Sequence, residues 1–249
     1  MINKQYLDFI DRENIFSDKE EIAKVETFLS FERNNGEKIA ENELFVRHVL
    51  ELPLKKATGS KKICFCLMNP SKADMQNSDD TVNIVLKFVE KLMIEANSQF
   101  KDIGAVVVVN LFPTYETRST FLGTVIKGLQ KTNKLDHLLF INQTEIMKQV
   151  KNSEWIILGW GNCPENLSAN LHKTETNKIL AALYKVQKES SIYIFEDKKN
   201  KGLTIKKHPR HPRRLHTDTS KISEIKIKKN NKQGNNKIAT YEIKLKNKG

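Results

Sequence analysis

Residues 104–110 read Gly-Ala-Val-Val-Val-Val-Asn, and residues 62–68 read Lys-Ile-Cys-Phe-Cys-Leu-Met. Both runs are too continuously apolar for one face to lie in water, which is typical of strands in a parallel sheet covered on both sides. Two further strands are predicted at 154–159 and 191–196. Helices are predicted at 80–96, 133–152 and 175–188. Strands separated by helices predict a three-layer α/β/α sandwich around a four-stranded parallel sheet.

The first 60 residues predict a helical extension ahead of this core, which spans residues 61–216. Ser17 and Glu20 have the spacing of a capping box. An apolar stripe at helical spacing follows: Ile22, Val25, Phe28 and Leu29. A second short helix is predicted at 41–50, and the polar stretch around 55–60 predicts the loop into the core.

The last segment, residues 217–249, has a different pattern. Ile225 and Ile227 alternate with polar residues, and the same alternation returns in a later stretch: Ile238, Tyr241, Ile243 and Leu245. Residues 230–236 between them are rich in Asn and contain a Gly. This pattern predicts a lysine-rich β-hairpin, and a disordered tail is the alternative.

The positive charge of the chain is concentrated at its end. The formal net charge is +12. Residues 198–249 carry 17 Lys and Arg against 3 Asp and Glu, whereas the other 197 residues carry 25 against 27. A cationic end on a near-neutral body indicates contact with a polyanion, and DNA is the expected partner. A solubilising lysine-rich surface is the alternative explanation.

Several features predict a monomeric cytoplasmic protein with no membrane partner. The apolar runs are too short to cross a bilayer, and the first residues contain no apolar signal core. The chain has three cysteines, an odd number that does not suggest a disulfide framework. A reducing compartment is therefore expected.

Unusual residues follow each of the four predicted core strands. Ligands of open parallel sheets bind outside the carboxyl ends of the strands. The sequences at those positions are Met-Asn-Pro-Ser-Lys-Ala-Asp (68–74), Asn-Leu-Phe-Pro-Thr (110–114), Gly-Trp-Gly-Asn-Cys-Pro (159–164) and Lys-Lys-His-Pro-Arg-His-Pro-Arg-Arg-Leu (206–215). Ordinary turn chemistry explains any one of these loops. Four of them at one edge of a sheet indicate a site.

These motifs resemble a bacterial and phage family known as domain of unknown function 1643, over about residues 42–215. The resemblance rests on motifs in a fixed order: Asn69-Pro70-Ser71 with Ala73 and Asp74, Asp79 with Thr81, Asn110-Leu111 with Thr117, Asn142, Trp160-Gly161, and Pro209-Arg210-His211-Pro212. The chain departs from the family pattern at Gln143, at Arg118-Ser119 and at Arg214. There the family usually has an Asp, an Asp-Pro pair and an aromatic residue.

The motif order is also similar, more weakly, to the uracil-DNA glycosylase superfamily. This similarity implies a uracil-DNA-glycosylase-like fold and a DNA glycosylase acting on a damaged or modified base, in repair or in phage defence. It implies that Asn69 positions a water, that Asp74 or Asp79 supplies a carboxylate, and that His211 donates to the leaving base. The implied base pocket is Ser71, Asn110, Phe112 and Trp160. The implied DNA contacts are Lys72, Lys207, Arg210, Arg213, Arg214 and Leu215.

Each of these residues also has a plainer explanation. Asp79 or Asp80, just before Thr81, has the position of a helix N-cap. Trp160 is a candidate for the core. The spacing of His208, His211 and His216 suggests zinc, but proline follows two of these histidines and no Cys-x-x-Cys accompanies them.

No cofactor is expected, since the sequence has neither a P-loop nor a complete dinucleotide fingerprint. A second functional class remains open, namely a non-catalytic module that binds nucleic acid or a nucleotide in the same crevice. A carboxylate close to Asn69 would favour catalysis over simple binding.

Overall fold

The computed structural model describes residues 5–24, 43–55, 59–70, 72–95, 99–115, 119–196, 202–214, 221–230 and 239–246. These ranges contain the strands β1 (Phe16–Ser17), β2 (Glu20–Lys24), β3 (Glu43–Val46), β4 (Val49–Pro53), β5 (Lys61–Leu67), β6 (Ile103–Asn110), β7 (Trp155–Leu158), β8 (Ser191–Glu196), β9 (Lys221–Asn230) and β10 (Thr240–Leu245). They also contain the helices α1 (Asp80–Ile94), α2 (Ser119–Lys131), α3 (Leu135–Lys151) and α4 (Ala169–Val186).

Eight of these strands form one sheet, in the order β1-β4-β6-β5-β7-β8-β9-β10, while β2 pairs with β3. The neighbours β6–β5, β5–β7 and β7–β8 are parallel. The other four pairs of the sheet are antiparallel. The predicted parallel strands are therefore present as the middle of the sheet, but the predicted size of four strands is wrong. Antiparallel strands from both ends of the chain extend the sheet on each side.

Alternate residues of β5 face two separate cores. Ile63, Phe65 and Leu67 pack in the core that α1 covers. Cys64 and Cys66 pack in the core that α2, α3 and α4 cover, on the other face. All five side chains are buried, because a strand between two helical layers has no face in water. Helices therefore cover both faces of the sheet, as predicted.

The predicted N-terminal helices are wrong wherever the structure describes them. Ser17, expected to cap a helix, lies in β1 opposite Leu50, and the residues after it form β2. The helix predicted at 41–50 is replaced by β3 and the start of β4. The predicted stripe residues Val25, Phe28 and Leu29 lie outside the described residues.

Pairing across the chain explains this difference. β4 lies antiparallel to β6, with Leu50 opposite Val108. The Asp18 carboxylate accepts hydrogen bonds from the backbone N–H groups of His48 (2.9 Å) and Val49 (3.0 Å), which ties the chain before β2 to the start of β4. These long-range contacts outweigh a helical spacing that extends over only a few residues, since local propensity is weak beside tertiary pairing.

The helix predictions within the core hold with shifted ends, and α2 has no predicted counterpart. Two glycines inside α2, Gly123 and Gly128, lower its helix propensity. Gly123 has a packing reason, because a Cβ there would collide with the backbone of Asn166. Helix α4 begins six residues before its predicted start of 175, since the Ser168 hydroxyl caps it by accepting from the Leu171 N–H (3.3 Å).

The C-terminal hairpin is confirmed, and it continues the central sheet. β9 pairs with β8, and Ile225 and Ile227 are buried in the core beneath α4. Two amide side chains secure the hairpin. Gln187 exchanges hydrogen bonds with the backbone of Ile227 (2.9 and 3.1 Å), and Asn177 accepts from the Tyr241 N–H (3.0 Å). Residues 221–230 and 239–246 are therefore ordered parts of the fold, contrary to the alternative of a disordered tail.

None of the helices in the described ranges is long and apolar enough to cross a membrane.

Candidate functional site

The central strands β5 and β7 mark the point where the direction of the sheet's connections changes. Helix α1, which follows β5, covers one face, and α4, which follows β7, covers the other. Open α/β sheets bind ligands in the crevice that this divergence creates at the carboxyl ends of the strands. The loop after β5 begins at Met68, and the loop after β7 begins at Gly159. These two loops form the walls of the candidate crevice.

The segment 202–214, which follows β8, packs against the loop after β7. The Gly161 N–H donates to the carbonyl oxygen of Pro209 (2.9 Å). A Cβ at Gly161, whose φ is 77°, would lie 3.3 Å from the Cβ of His211. A Cβ at Gly159 would lie 3.1 Å from Leu67 Cδ2 and 3.2 Å from Pro212 Cδ. The two glycines thus permit the close approach that brings His211 to the edge that holds Asn69.

A backbone hydrogen bond orients the His211 ring. The Arg213 N–H donates to His211 Nδ1 at 3.2 Å. A ring nitrogen that accepts a hydrogen bond carries no proton, so in the neutral ring the proton is on Nε2. In that tautomer Nε2 is the ring nitrogen that can donate a hydrogen bond.

Asn69 is half-buried in the loop after β5, where its Nδ2 donates to the carbonyl oxygen of Pro70 (3.0 Å). This bond orients the amide. The next residue of the motif, Ser71, lies outside the described residues.

Asp74 and Asp79 both hold backbone amides around this loop. Asp79 caps α1 by accepting from the Val82 N–H (2.9 Å), and its second oxygen accepts from the Ala73 N–H (2.9 Å). The N-cap explanation of Asp79 is therefore confirmed. Asp74 accepts from the N–H groups of Gln76 and Asn77, both at 3.0 Å, and from Lys19 Nζ at 3.1 Å.

The surroundings of Asp74 keep it ionised. Burial alone would raise the pKa of this carboxyl group, but the two backbone N–H groups and Lys19 outweigh burial and lower its pKa below the ordinary value. Asp74 is thus a carboxylate whose hydrogen bonds shape the loop that follows Asn69.

Asp79→Ala is expected to lower the free energy of unfolding by about 2 kcal/mol, because it removes a helix cap and leaves the Ala73 N–H without its acceptor. Asp80→Ala is the matched control and should cost less than about 1 kcal/mol, since Asp80 is exposed in the first turn and does not cap the helix. Urea unfolding of both variants measures the difference. Equal losses would show that the cap and the Ala73 contact do not stabilise the loop.

The two predicted base-stacking rings are covered by protein. Phe112 and Trp160 are 0 % and 1 % exposed, and both belong to the core on the α4 side. Trp160 therefore has the core position that was its alternative explanation. Neither ring can stack on an extruded base while it stays in this position. Asn110 is also buried, at the end of β6 opposite Leu67.

A buried polar chain that includes His48 adjoins Asn110. Asn142 Nδ2, on α3, donates to the carbonyl oxygens of Asn110 (2.9 Å) and Leu111 (3.3 Å). This fixes the amide so that its Oδ1 accepts from His48 Nδ1 (3.1 Å), and His48 therefore carries a proton on Nδ1. Asn142 was identified by its motif position. His48 was missed because it lies in the segment predicted as a helix.

Arg47 is a second buried residue that the sequence did not mark. It is 1 % exposed, and its guanidinium group donates to the carbonyl oxygen of Ala73, which also accepts from the Tyr115 hydroxyl (3.0 Å). Its backbone N–H donates to the carbonyl oxygen of Pro113 (2.8 Å). Arg47 thus joins the loops after β5 and β6. Burying a guanidinium is costly unless it is paired, which makes it an unusual choice for such a link.

The predicted DNA-binding residues lie on two of the loops. Lys207 and Arg213 are exposed on the segment over the crevice, Arg210 is half-buried there, and Lys72 is partly exposed after β5. The described part of Arg214 is its backbone, and Leu215 lies outside the described residues. Among the described side chains, no three His, Cys, Asp or Glu residues are grouped to hold a metal ion.

Comparison with known proteins identifies the family. The model of DUF1643, a protein of unknown function, matches residues 47–213. The match runs from Arg47 to Arg213, so it includes α1 to α4 and the four loops but leaves out β1 to β3 and the hairpin. No curated protein and no solved structure matches the chain. With about two thirds of its residues matched, the chain belongs to the DUF1643 family.

Proposed function

We propose that this protein is a DNA glycosylase that cleaves the N-glycosidic bond of a damaged or modified base, in repair or in defence against phage. The observation that supports the proposal most is the packing of the His211 segment against Gly161, beside the loop of Asn69. An amide that can orient a water and an imidazole that can donate a hydrogen bond thus belong to loops at the same end of the parallel strands β5 and β7. N-glycosidic cleavage needs both kinds of group.

In the proposed step, a water oxygen bonds to the anomeric carbon C1′ while the C1′–N bond breaks and its electron pair moves to the base. Asn69 orients the water. The Nε2–H of His211 donates to the base as negative charge develops there. An amide cannot take a proton, so the attacking water loses its proton to solvent and the base gains one from solvent. The products are a free base and an abasic sugar.

Asp74 and Asp79 have a supporting role in this proposal. Both carboxylates accept hydrogen bonds from backbone amides of the loop after Asn69. They are therefore assigned to shaping that loop. The basic residues of segment 202–214 would hold the phosphates of a DNA strand, which positions the substrate without reading its sequence.

A second candidate function is non-catalytic binding of a nucleic acid or nucleotide. The same two carboxylates favour it, because both are used to hold backbone amides of the loop after Asn69. The covered rings of Phe112 and Trp160 favour it too, since they offer no surface for an extruded base.

The experiment that separates these functions is incubation of the full chain with duplex and single-stranded DNAs, each carrying a different modified base. Alkali then breaks the strand wherever a base has been released. Strand breaks that require both the protein and the modified base would support the glycosylase. Tight binding to the same DNAs without any break would support the binding module, and neither binding nor breakage would overturn both.

The hairpin makes a separate prediction about affinity. Lys226 and Lys228 are exposed, on the face of the hairpin opposite its buried isoleucines. If this face binds phosphates, replacing both lysines by Ala should reduce the slope of log K against log salt by about 1.8, because each contact releases about 0.9 counterion. Lys185→Ala, an exposed lysine of α4, is the control. An unchanged slope in DNA-binding titrations would show that this face is not part of the DNA-binding interface.

A further inference from the structure

A cavity lies on the α4 side of the sheet. Its volume is about 450 Å³, within the range of small-molecule sites. Helix α4, strand β10 and the turn 203–208 form its walls. We propose that this cavity, here called the α4 pocket, binds a small organic anion that joins an apolar ring to a phosphate or carboxylate group.

The α4 pocket adjoins the candidate crevice, because Trp160 of the loop after β7 and Lys207 of segment 202–214 line the pocket as well. The pocket is lined by Trp160, Leu180 and Leu203, which belong to or pack against the core beneath α4. The glycine contacts that bring His211 to the crevice involve Leu67 and Phe195, which belong to the core beneath α1. One segment, 202–214, therefore contributes to both sites, with His208 on the pocket side and His211 on the crevice side.

The charged residues of the pocket favour an anion. Lys173 of α4 and Lys207 of the turn line it, together with Lys244 and Glu242 of β10. Lys244 pairs with Glu242 at 3.1 Å, so these two charges offset each other. The lining thus has a net positive charge from Lys173 and Lys207.

The backbone of the turn 203–208 has an unusual conformation at Lys207. This residue has a φ of 63°, a left-handed conformation that is uncommon for a residue other than glycine. Two hydrogen bonds hold the turn: the Thr204 N–H donates to the His208 carbonyl oxygen (2.8 Å), and the Lys207 N–H donates to the Thr204 carbonyl oxygen (2.9 Å). Strained backbone of this kind is found at ligand sites, and here it occurs at a lysine that lines a cavity.

One polar group in the walls lacks a partner among the described residues. The Trp160 side chain is 1 % exposed and lines the pocket, and its Nε1–H has no hydrogen-bond partner among the described residues. Behind the pocket, the ring of His208 meets the ring of His172 edge to face, with centroids 4.9 Å apart. His172 Nε2 is likewise buried without a partner in the described part of the chain. Buried polar atoms normally have partners, so such exceptions mark places where a ligand can supply one.

Apolar side chains make up the rest of the lining. Leu180, Leu203, Tyr241 and Ile243 offer carbon surface close to the two lysines. Inorganic phosphate alone would use only the lysines, and an uncharged ring would use only the carbon surface. The ligand class that uses both is a compact ring with one anionic group, such as a nucleoside monophosphate or an aromatic carboxylate.

The chain has two tryptophans, which gives the test an internal reference. In a ¹H–¹⁵N spectrum of the full chain, the indole N–H signal of Trp160 reports on the pocket. That of Trp155, which packs against Phe100 in the other core, reports on the rest of the molecule. The probes are adenosine 5′-monophosphate, benzoate, adenosine and inorganic phosphate, each titrated separately without DNA.

We expect adenosine monophosphate or benzoate to shift the Trp160 signal at lower concentration than adenosine or phosphate does, while the Trp155 signal stays in place. Lys173→Ala with Lys207→Ala should weaken this binding about tenfold or more, since both remove charged contacts. Lys185→Ala, on the last turn of α4, should not. All three lysines are exposed, so none of these variants should disturb folding.

Three results would overturn the proposal: no shift of Trp160 with any probe, equal binding of phosphate and adenosine monophosphate, or equal weakening by Lys185→Ala. The stronger of the two anionic probes would identify the anionic group. None of these outcomes depends on base release, because the variants leave Asn69 and His211 intact. Failure of the glycosylase proposal and failure of the α4 pocket are thus measured separately.

Discussion

Asn69→Ala and His211→Ala are each expected to slow base release from modified DNA about 10²–10³-fold while DNA affinity stays largely unchanged. Both side chains would act on the breaking bond, whereas the affinity of a cationic protein for DNA comes mainly from its phosphate contacts. Alanine at position 211 keeps the Cβ that packs beside Gly161. The change therefore removes the imidazole with little effect on the loop contact. Single-turnover cleavage assays measure the rate.

The double variant Arg213→Ala/Arg214→Ala is the control with the opposite expectation. It should weaken DNA binding first and reduce turnover only through lower occupancy, so saturating protein should restore the rate. The backbone N–H of Arg213, which fixes the His211 ring, is retained in this variant. If Asn69→Ala and His211→Ala both leave an observed base release unchanged, the catalytic centre lies elsewhere in the chain.

The second large effect concerns acid stability, and it centres on His172. This side chain is 2 % exposed, and burial, with a smaller contribution from His208, lowers its pKa to about 4. In the unfolded chain its pKa is near 6.5, so the unfolded state binds the proton first as the pH falls. The stabilising effect of the neutral ring is complete above pH 6.5 and is lost as the pH falls toward 4. We expect this loss to be about 3 kcal/mol.

Urea unfolding at pH 7 and at pH 4 tests this expectation by comparing the protein with His172→Phe, which keeps a ring but does not titrate. The variant should lose about 3 kcal/mol less stability over this range than the parent chain. The carboxylates titrate in both proteins, so their contribution to the pH dependence drops out of the difference. Lys173→Ala, one residue along α4, should behave as the parent chain does. Parallel pH profiles for all three proteins would show that His172 is not buried in its neutral form.

The central part of the fold could be predicted because its sequence leaves few alternatives. Runs such as 104–110 contain no polar residue before Asn110, and only a strand covered on both faces suits them. The hairpin was also predictable, since Ile225 and Ile227 alternate with charged residues. In both cases the period of the apolar residues agrees with the element they form.

The N-terminal strands could not be predicted, because what determines them is far away in sequence. β4 is a strand because it pairs with β6, and β1 is a strand because it pairs with β4. Residues 17–29 have helical spacing, and nothing local competes with it. Arg47 and His48 were missed for the same reason: their burial depends on the loop of Ala73 and on Asn142.

The candidate site shows a similar division. Motif order indicated that Asn69, Asn110, Gly159 and His211 would share one edge, and parallel strands bring such residues together by topology. It did not separate side chains that line a crevice from those that support it. Asp79 and Phe112 occupy motif positions, yet one caps a helix and the other fills the core. Only the direction of a side chain decides between these roles.

The position of the family boundaries within the sheet has a practical consequence for handling the protein. A fragment cut at residues 47–213 would keep β4 to β8 and lose β1, β9 and β10. Strand β8, Ser-Ile-Tyr-Ile-Phe-Glu, would then be an open edge with unpaired backbone groups. Apolar open edges of this kind recruit strands from other molecules and lead to aggregation. The strands outside the family region therefore cover the edges of its sheet. Fragments should be cut beyond the hairpin.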